Sequence, residues 1–364
     1  MMKIKTGVST LMMILACVVL ASVLGCGGSS SSDGSGGSAT YNDRFSGDFY
    51  VGTFSYELSA DDYGATGDDM GSNGDGTGYA GSAKFTYSVA ADNTMDFTEG
   101  GNTDKGILAP GEDFLAVVDT KEDDEVSLTA AVKLPSASVS HADVNGKWRF
   151  IQIRYNSDDG RANTAVIDAT LSDGTASMSF VMDSNDATCT SSCGSFSYTL
   201  KSNGGFIISD YELEGYTDGA KMILTDEDSS GDKEVKIMVG IKMSESHSNA
   251  DLKGDYQLMQ IGATKDDAWT VHADVNFKGD DDGSGTGTCT ATVIKVSDNG
   301  STPGTVVNGT YHVDATTGKL ALTIGSGQVG IISPDGEIFV ARDMIANGSA
   351  DYEVTFSIGV KKHS

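Results

Sequence analysis

Proline, basic residues and catalytic signatures are what this chain has least of. Only 4 prolines stand among 364 residues, against 46 glycines, so its punctuation is made by glycine turns and not by stiff proline-rich linkers. The 24 lysines and arginines face 52 aspartates and glutamates, a net charge of −28. Coulomb repulsion from that charge opposes approach to a phosphate backbone or an anionic lipid surface, which removes nucleic acid from the candidate partners. No Gly-x-Ser-x-Gly elbow, no phosphate loop ending in Lys-Ser or Lys-Thr, no Cys-x-x-Cys-His haem site and no His-x-x-x-His spacing occurs. His141 and His247 lie in polar stretches that read as linkers, where a histidine is expected to be solvated. Carboxylate pairs occur everywhere, so none marks a glycosidase. The expectation is a protein that is not an enzyme.

The N-terminus carries an address. Lys3 and Lys5 precede an apolar core, Leu11 to Leu20, which ends in Val23-Leu24-Gly25-Cys26. This is the order of a secretory signal, and the apolar stretch is short for the roughly 20 residues of a spanning helix. Residues 27–38 then hold only Gly, Ser and Asp, with nothing to bury, and read as a flexible tether. Val23-Leu24-Gly25-Cys26 resembles the lipobox of bacterial lipoproteins, with Val23 in place of the commoner leucine. The resemblance implies cleavage before Cys26, lipid on its thiol and on the new amino group, and attachment to a membrane through several acyl chains. Gly27 in place of an aspartate after the cysteine implies, by the sorting rule of that family, the outer membrane. Lys3 and Lys5 leave with the leader, making the mature chain two charges more negative.

Of 5 cysteines, Cys17 leaves with the leader and Cys26 is the lipidation site. Cys189 and Cys193, four apart in an exported chain, are expected to form a small disulfide that pins a turn. Cys289 alternates with Thr288 and Thr290 and reads as a buried structural thiol.

Internal repetition is the strongest signal in the mature chain. Phe45-Ser46-Gly47-Asp48-Phe49-Tyr50-Val51, Val144-Asn145-Gly146-Lys147-Trp148-Arg149-Phe150 and Leu252-Lys253-Gly254-Asp255-Tyr256-Gln257-Leu258 open three units alike. Glu125 to Lys133, Glu234 to Lys242 and Glu353 to Lys361 close them alike. Between these lie period-two runs bounded by Asn, Asp, Gly and Pro, the mark of hairpin-linked antiparallel strands. The third unit gives about eight strands, near 254–262, 269–277, 287–296, 307–314, 318–324, 327–333, 337–343 and 352–361. The first reads as shorter, with a Gly/Asp-rich loop from Asp61 to Gly78 where a hairpin would be. The expected organisation is a leader over 1–25, lipidated cysteine and tether over 26–40, and β units over 41–136, 137–245 and 246–364.

The fold class is therefore all-β: three tandem antiparallel units of about six to eight strands each, barrel or sandwich. Eight up-and-down strands remove their edges by closing last onto first. Gly146-Lys147-Trp148 and Gly309-Thr310-Tyr311-His312-Val313 resemble the lipocalin-like, or calycin, pattern, which implies barrels and a ligand cavity. Ile332 to Ala341 also resembles the inner strands of a β-propeller blade, so a six-bladed propeller stands as the alternative. Trp148, Trp269, Tyr50, Tyr87, Tyr198, Tyr256 and Tyr311 occupy strand positions that read as core packing rather than as cavity lining.

Two acidic loops are the candidate metal sites. Asp226, Asp228, Ser230, Asp232 and Glu234 place oxygens at alternate positions around Gly231, and Asp280, Asp282 and Ser284 do so before Gly285. Calcium takes six to eight hard oxygen ligands, which such spacing supplies. Neither is an EF-hand, since Ile237 and Ala291 stand where a glutamate is needed. Solvated turns in a very acidic chain are the alternative, and no other cofactor is implied. Together these features describe a membrane-anchored, non-enzymatic envelope module that binds a small molecule, glycan or protein. A calcium-stiffened adhesive spacer and, further off, a hydrolase are the alternatives.

Overall fold

The computed structural model describes residues 40–57, 62–99, 101–119, 125–156, 161–183, 188–190, 193–226, 234–264, 267–279, 285–297, 302–324, 327–346 and 352–363. The leader and Cys26 lie outside the described residues.

Three antiparallel barrels follow one another. The first comprises β1 (Ser46–Glu57), β2 (Asp62–Asn73), β3 (Thr77–Ala80), β4 (Ala83–Val89), β5 (Thr94–Glu99), β6 (Asn102–Leu108), β7 (Phe114–Asp119) and β8 (Glu125–Lys133), with β1 bonded to both β2 and β8. The second comprises β9 (Gly146–Asn156), β10 (Arg161–Ser172), β11 (Thr175–Asp183), β12 (Thr188–Cys189), β13 (Gly194–Ser197), β14 (Thr199–Leu200), β15 (Gly205–Ile208), β16 (Leu213–Thr217), β17 (Lys221–Asp226) and β18 (Glu234–Lys242). Here β13 pairs with β11 and β14 with β15, so the ladder changes partner at Tyr198 and the barrel is nearly closed. The third comprises β19 (Gly254–Ala263), β20 (Ala268–Phe277), β21 (Gly287–Val296), β22 (Val306–Val313), β23 (Lys319–Leu322), β24 (Gln328–Ile332), β25 (Ile338–Ala346) and β26 (Tyr352–Lys361), again a closed barrel. Closure by the first and last strands of each unit excludes the propeller, whose blades leave those strands as edges.

Most of the stretch expected as a loop in the first unit is strand, Asp62–Asn73 and the start of Thr77–Ala80. Gly67 and Gly71 in β2 disguise it, because tyrosine rings replace their missing side chains: a Cβ at Gly67 would strike Tyr50, and one at Gly71 would strike Tyr79. Aromatic cover of a strand glycine restores the packing that glycine lacks.

The repeated Gly-x-aromatic opening has a structural cause. Gly47, Gly146 and Gly254 have φ of 104°, 129° and 128°, a region that favours glycine. The stems of the closing lysines, Lys133, Lys242 and Lys361, lie 3.2–3.3 Å from where a Cβ would stand. Before each opening strand a one-turn helix, Asn42–Arg44, His141–Val144 or Asn249–Leu252, floors the barrel. In two of the three an asparagine caps the central strand: Val89 N–H donates to Asn42 Oδ1 at 2.9 Å and Val313 N–H to Asn249 Oδ1 at 2.7 Å.

Each barrel has its own apolar interior, yet the largest cluster lies between the barrels. Phe54, Ile107, Phe114, Ile151, Ile153, Ile261, Val354 and Phe356 point out of their barrels into one shared core. The docking is cyclic: β1 and β2 meet β17 and β18, β9 and β10 meet β25 and β26, and β19 and β20 meet β7 and β8. A head-to-tail contact that closes after three copies needs no exposed end, so the units form a ring and not a string. On its axis stands Lys221, 2% exposed, at the register position of Phe114 and Ile338. Its Nζ lies 2.6 Å from Asp113 of the first barrel and 3.4 Å from Asp335 of the third. Burial works against its charge, but Asp113, Asp335 and Asp218 overcome that and hold the amine above the ordinary lysine range.

Candidate functional site

Strand pairing makes the three interiors comparable residue by residue. At the floor they agree, with Phe49, Trp148 and Tyr256 all buried at equivalent positions. Towards the open end they part. On the first strand, the inward positions carry Thr53 and Ser55 in the first barrel, Gln152 and Arg154 in the second, and Gln260 and Gly262 in the third. Opposite, on the last strand, stand Ser127, Lys236 and Thr355, one residue pair above Thr129, Met238 and Ser357. The first barrel joins its two threonines, Thr53 and Thr129, by a hydroxyl contact of 2.8 Å. The third lays Trp269 across Gly262, where a Cβ would strike the indole ring. Among these described positions, only those of the middle barrel carry cations.

There a cavity of about 170 Å³ opens among Phe150, Ile167, Met178, Ile208, Leu224 and Met238. Its neck is an ion-pair network. Lys236 Nζ lies 2.8 Å from Asp226 Oδ2 and 3.0 Å from Glu234 Oε1, and Arg154 Nη1 lies 3.5 Å from Glu234 Oε2. Burial raises the Asp226 carboxyl above its usual range despite Lys236, with Glu234 and Glu212 adding like charge. Burial also works against the charge on Glu234, but Lys236 and Arg154 outweigh it and hold that carboxyl low. Outside the neck a mouth of about 330 Å³ adds Asn156, Ser209, Asp210, Tyr211 and Glu212. Phe196 and the exposed Tyr211 meet edge to face, ring centres 5.8 Å apart, beside the discontinuity at Tyr198. The seam where the barrel's ladder changes partner is thus also the side of its cavity.

The expected site residues fall on both sides of what is described. Asp226 and Glu234 come together, but on Lys236. Asp228, Ser230, Asp232, Asp280, Asp282 and Ser284 lie outside the described residues. Among the described residues no group of three or more His, Cys, Asp or Glu side chains is arranged for a metal ion. Cys189 and Cys193 are joined in a disulfide, Cα atoms 5.6 Å apart, at the edge of the middle barrel. Cys289 is buried in the third, and burial pushes its thiol up to about 11. His247 is buried, contrary to a solvated linker residue: its ring meets Ser244 Oγ at 2.8 Å and lies against Gly318. Trp148, Tyr198 and Tyr256 pack in barrel interiors, whereas Tyr50 faces outward onto the middle barrel.

Arg154, Lys236 and Tyr211 were not singled out by the sequence. The available signal was the comparison of closing strands: Lys236 interrupts Val-x-Ile where the other units have Ser127 and Thr355.

No family model matches the chain, and no curated protein sequence matches it. Solved structures to which it is similar include a protein of unknown function of the DUF3598 family from Nostoc punctiforme, at 8% identity over 61% of this chain and 97% of that one, TM-score 0.26. Isotype 1 transferrin binding protein B from serogroup B Neisseria meningitidis follows at 10% identity over 88% and 77%, TM-score 0.30. A mutant of transferrin binding protein B from Haemophilus parasuis Hp5 gives 9% over 87% and 76%, TM-score 0.28. At these values the likenesses assign neither a family nor a function.

Proposed function

We propose that this chain is a lipid-anchored binding module of the cell envelope, and that its middle barrel takes a small molecule with an apolar body and an uncharged or cationic end. The observation that carries the reading is the cavity in that barrel, apolar inside and charged at the neck. About 170 Å³ is close to the roughly 150 Å³ of an engineered apolar cavity that holds benzene, which sets the body at one ring. Burying it gains about 25 cal/mol per Å² of apolar surface. At the neck and mouth, Asp210, Glu212, Asp226 and Glu234 outnumber Arg154 and Lys236, so a second anion is disfavoured there. The side chains around the cavity supply apolar contact and hydrogen bonds, which is the equipment of a binder.

Thermal unfolding of the mature chain carrying Cys26→Ser tests this with three probes of one shape: phenethylamine, 2-phenylethanol and 3-phenylpropanoate. The first two should raise the melting temperature, by the equivalent of about 2.7 kcal/mol at a hundredfold excess over Kd, and the third should not. Met238→Trp, which fills the cavity, should remove the effect. Stabilisation by none of the probes, or equal stabilisation of the filled variant, overturns the reading. Anchoring is tested separately: the wild-type chain should partition into detergent, and Cys26→Ser into water.

A further inference from the structure

We infer that the junction between the first and middle barrels holds a second site, outside both barrels, for a short neutral oligosaccharide. The ring of barrels makes three junctions from equivalent residues, so each predicts what the others would look like. At the first-strand position the series is Tyr50, Arg149 and Gln257; beside it on the second strand the series is Gly67, Val166 and His272. On the facing barrel the series is Gly215, Gly330 and Gly106, each beside a close neighbouring carbonyl or side chain.

Between the middle and third barrels this place is filled. Arg149 reaches across to the Gly330 carbonyl at 3.1 Å and bonds Asp168 through two nitrogens, while Lys319 of the third barrel meets the same carboxylate at 2.8 Å. Between the third and first, His272 is buried. Between the first and middle, Gly67 supplies no side chain and Tyr50 turns to Thr225, with hydroxyls 2.8 Å apart. Tyr50 and Thr225 cover Gly67, and beside them opens a cleft of about 620 Å³ lined also by Lys201, Phe206, Glu214 and Tyr216, inside the roughly 300–1,000 Å³ usual for ligand sites.

Its chemistry suits a sugar. Tyr216, half-buried and packed on the buried Tyr50 with ring centres 4.9 Å apart, gives apolar ring surface for the C–H face of a pyranose. Glu212 and Glu214 line one side and are exposed; carboxylates accept hydrogen bonds from hydroxyl groups without competition from a ligand charge. Lys201 is the one cation among the lining residues, so an anionic glycan meets net repulsion. Glu212 also holds a left-handed backbone, φ 53°, a strained conformation for a non-glycine residue of the kind that clusters at ligand sites. It lines this cleft and the mouth of the middle barrel alike, which makes the two sites neighbours on one rim.

The test is ligand-observed NMR and calorimetry on the mature chain carrying Cys26→Ser, with maltotriose, cellotriose and tri-N-acetylchitotriose as neutral probes. At least one should bind saturably, and Tyr216→Ala should weaken it tenfold or more. Glu214→Gln, at an exposed position that leaves the fold intact, should weaken it several-fold. Met238→Trp, inside the barrel, should leave it unchanged. Saturable binding by none of the three sugars overturns the inference, as does binding that survives both Glu214→Gln and Tyr216→Ala.

Discussion

The middle and third barrels share a plan and use it differently. Both open on a glycine under a lysine stem, both are floored by a one-turn helix capped by serine and aspartate, and both send the outer faces of their first and last strands into the common core. In the third, β22 runs unbroken from Val306 to Val313, and Tyr311, buried within it, donates to the Asn249 carbonyl at 2.9 Å. In the second, the matching strand is split at Tyr198, whose hydroxyl has only a long contact of 3.4 Å to His141. The third fills its open half with Trp269; the second keeps a cavity under Arg154 and Lys236. Ring closure constrains which strands pair and which faces dock. It leaves the upper interior of each barrel unconstrained, and there the units have diverged.

The largest test of this contrast exchanges one atom. Gly359 and Gly240 are equivalent positions on the last strands, facing Phe339 and Phe150. A Cβ at either would strike the ring. Phe339 is wholly buried against Tyr256 and Phe277, so Gly359→Ala should cost about 3 kcal/mol, at the upper end of overpacking effects. Phe150 borders the cavity and can move into it, so Gly240→Ala should cost about 1 kcal/mol. Equal losses in denaturant melts would mean that the cavity gives no room and that the two interiors are equally tight.

Acid should separate the barrels next. His272 faces the first barrel beside Thr270, which donates to the Asp119 carbonyl at 2.6 Å. Burial lowers its imidazole to about 4, opposed by Asp274 and aided by Lys362, Lys105 and Lys295. The folded state then binds fewer protons than the unfolded between pH 6.5 and 4, so stability falls as the pH falls through that window, by about 2 kcal/mol at pH 5. The equivalent residue in the middle barrel is Val166. His272→Val should therefore flatten the pH profile of melting, and an unchanged profile would place the acid sensitivity elsewhere.

Much of this architecture was legible. Alternation gave the hairpins, and the paired openings and closings gave three units. The ring was less visible, although its signal was present: Phe49-Tyr50-Val51 and Ile338-Phe339-Val340 are apolar on both faces, as strands covered on two sides are. Glycine concealed β2, since it carries neither alternation nor β propensity. The cavity was illegible for a different reason. Arg154 in place of Gly262 preserves the strand pattern and alters only volume and charge, which no periodicity records.

A smaller effect bears on the seam. Cys189 and Cys193, four positions apart, close a loop of very few residues, for which chain entropy gives a stabilisation of about 2 kcal/mol. Replacing both with serine should lower the melting temperature slightly. By hydrogen exchange, protection should fall in β11 and β13 and stay unchanged in β21 and β22, because local opening follows local contacts. A uniform loss across both barrels would show that the disulfide acts on the whole ring.

The smallest expected change is at the axis, where all three barrels meet. Lys221 stands where its equivalents are Phe114 and Ile338, and a buried ion pair is often no more stable than apolar residues of similar size. Asp113 and Asp335 keep 34% and 43% of their side-chain surface exposed, so water can take over their hydrogen bonds when the amine is removed. Lys221→Met should therefore change stability by less than about 1 kcal/mol, whereas Lys221→Ala leaves a void and should cost more. The acid limb separates a neutral exchange from an inert residue. Burial opposes the charge on Asp335, but Lys221 and Ser333 outweigh it and hold its carboxyl below the usual range. That contribution is present above the ordinary aspartate range and is lost as pH falls through the lowered value. In Lys221→Met the part owed to the lysine should be absent while the Ser333 bond stays, so the gap between variant and wild type should narrow towards low pH. A loss of several kcal/mol at neutral pH would instead make this lysine the bond that holds the three barrels in one ring.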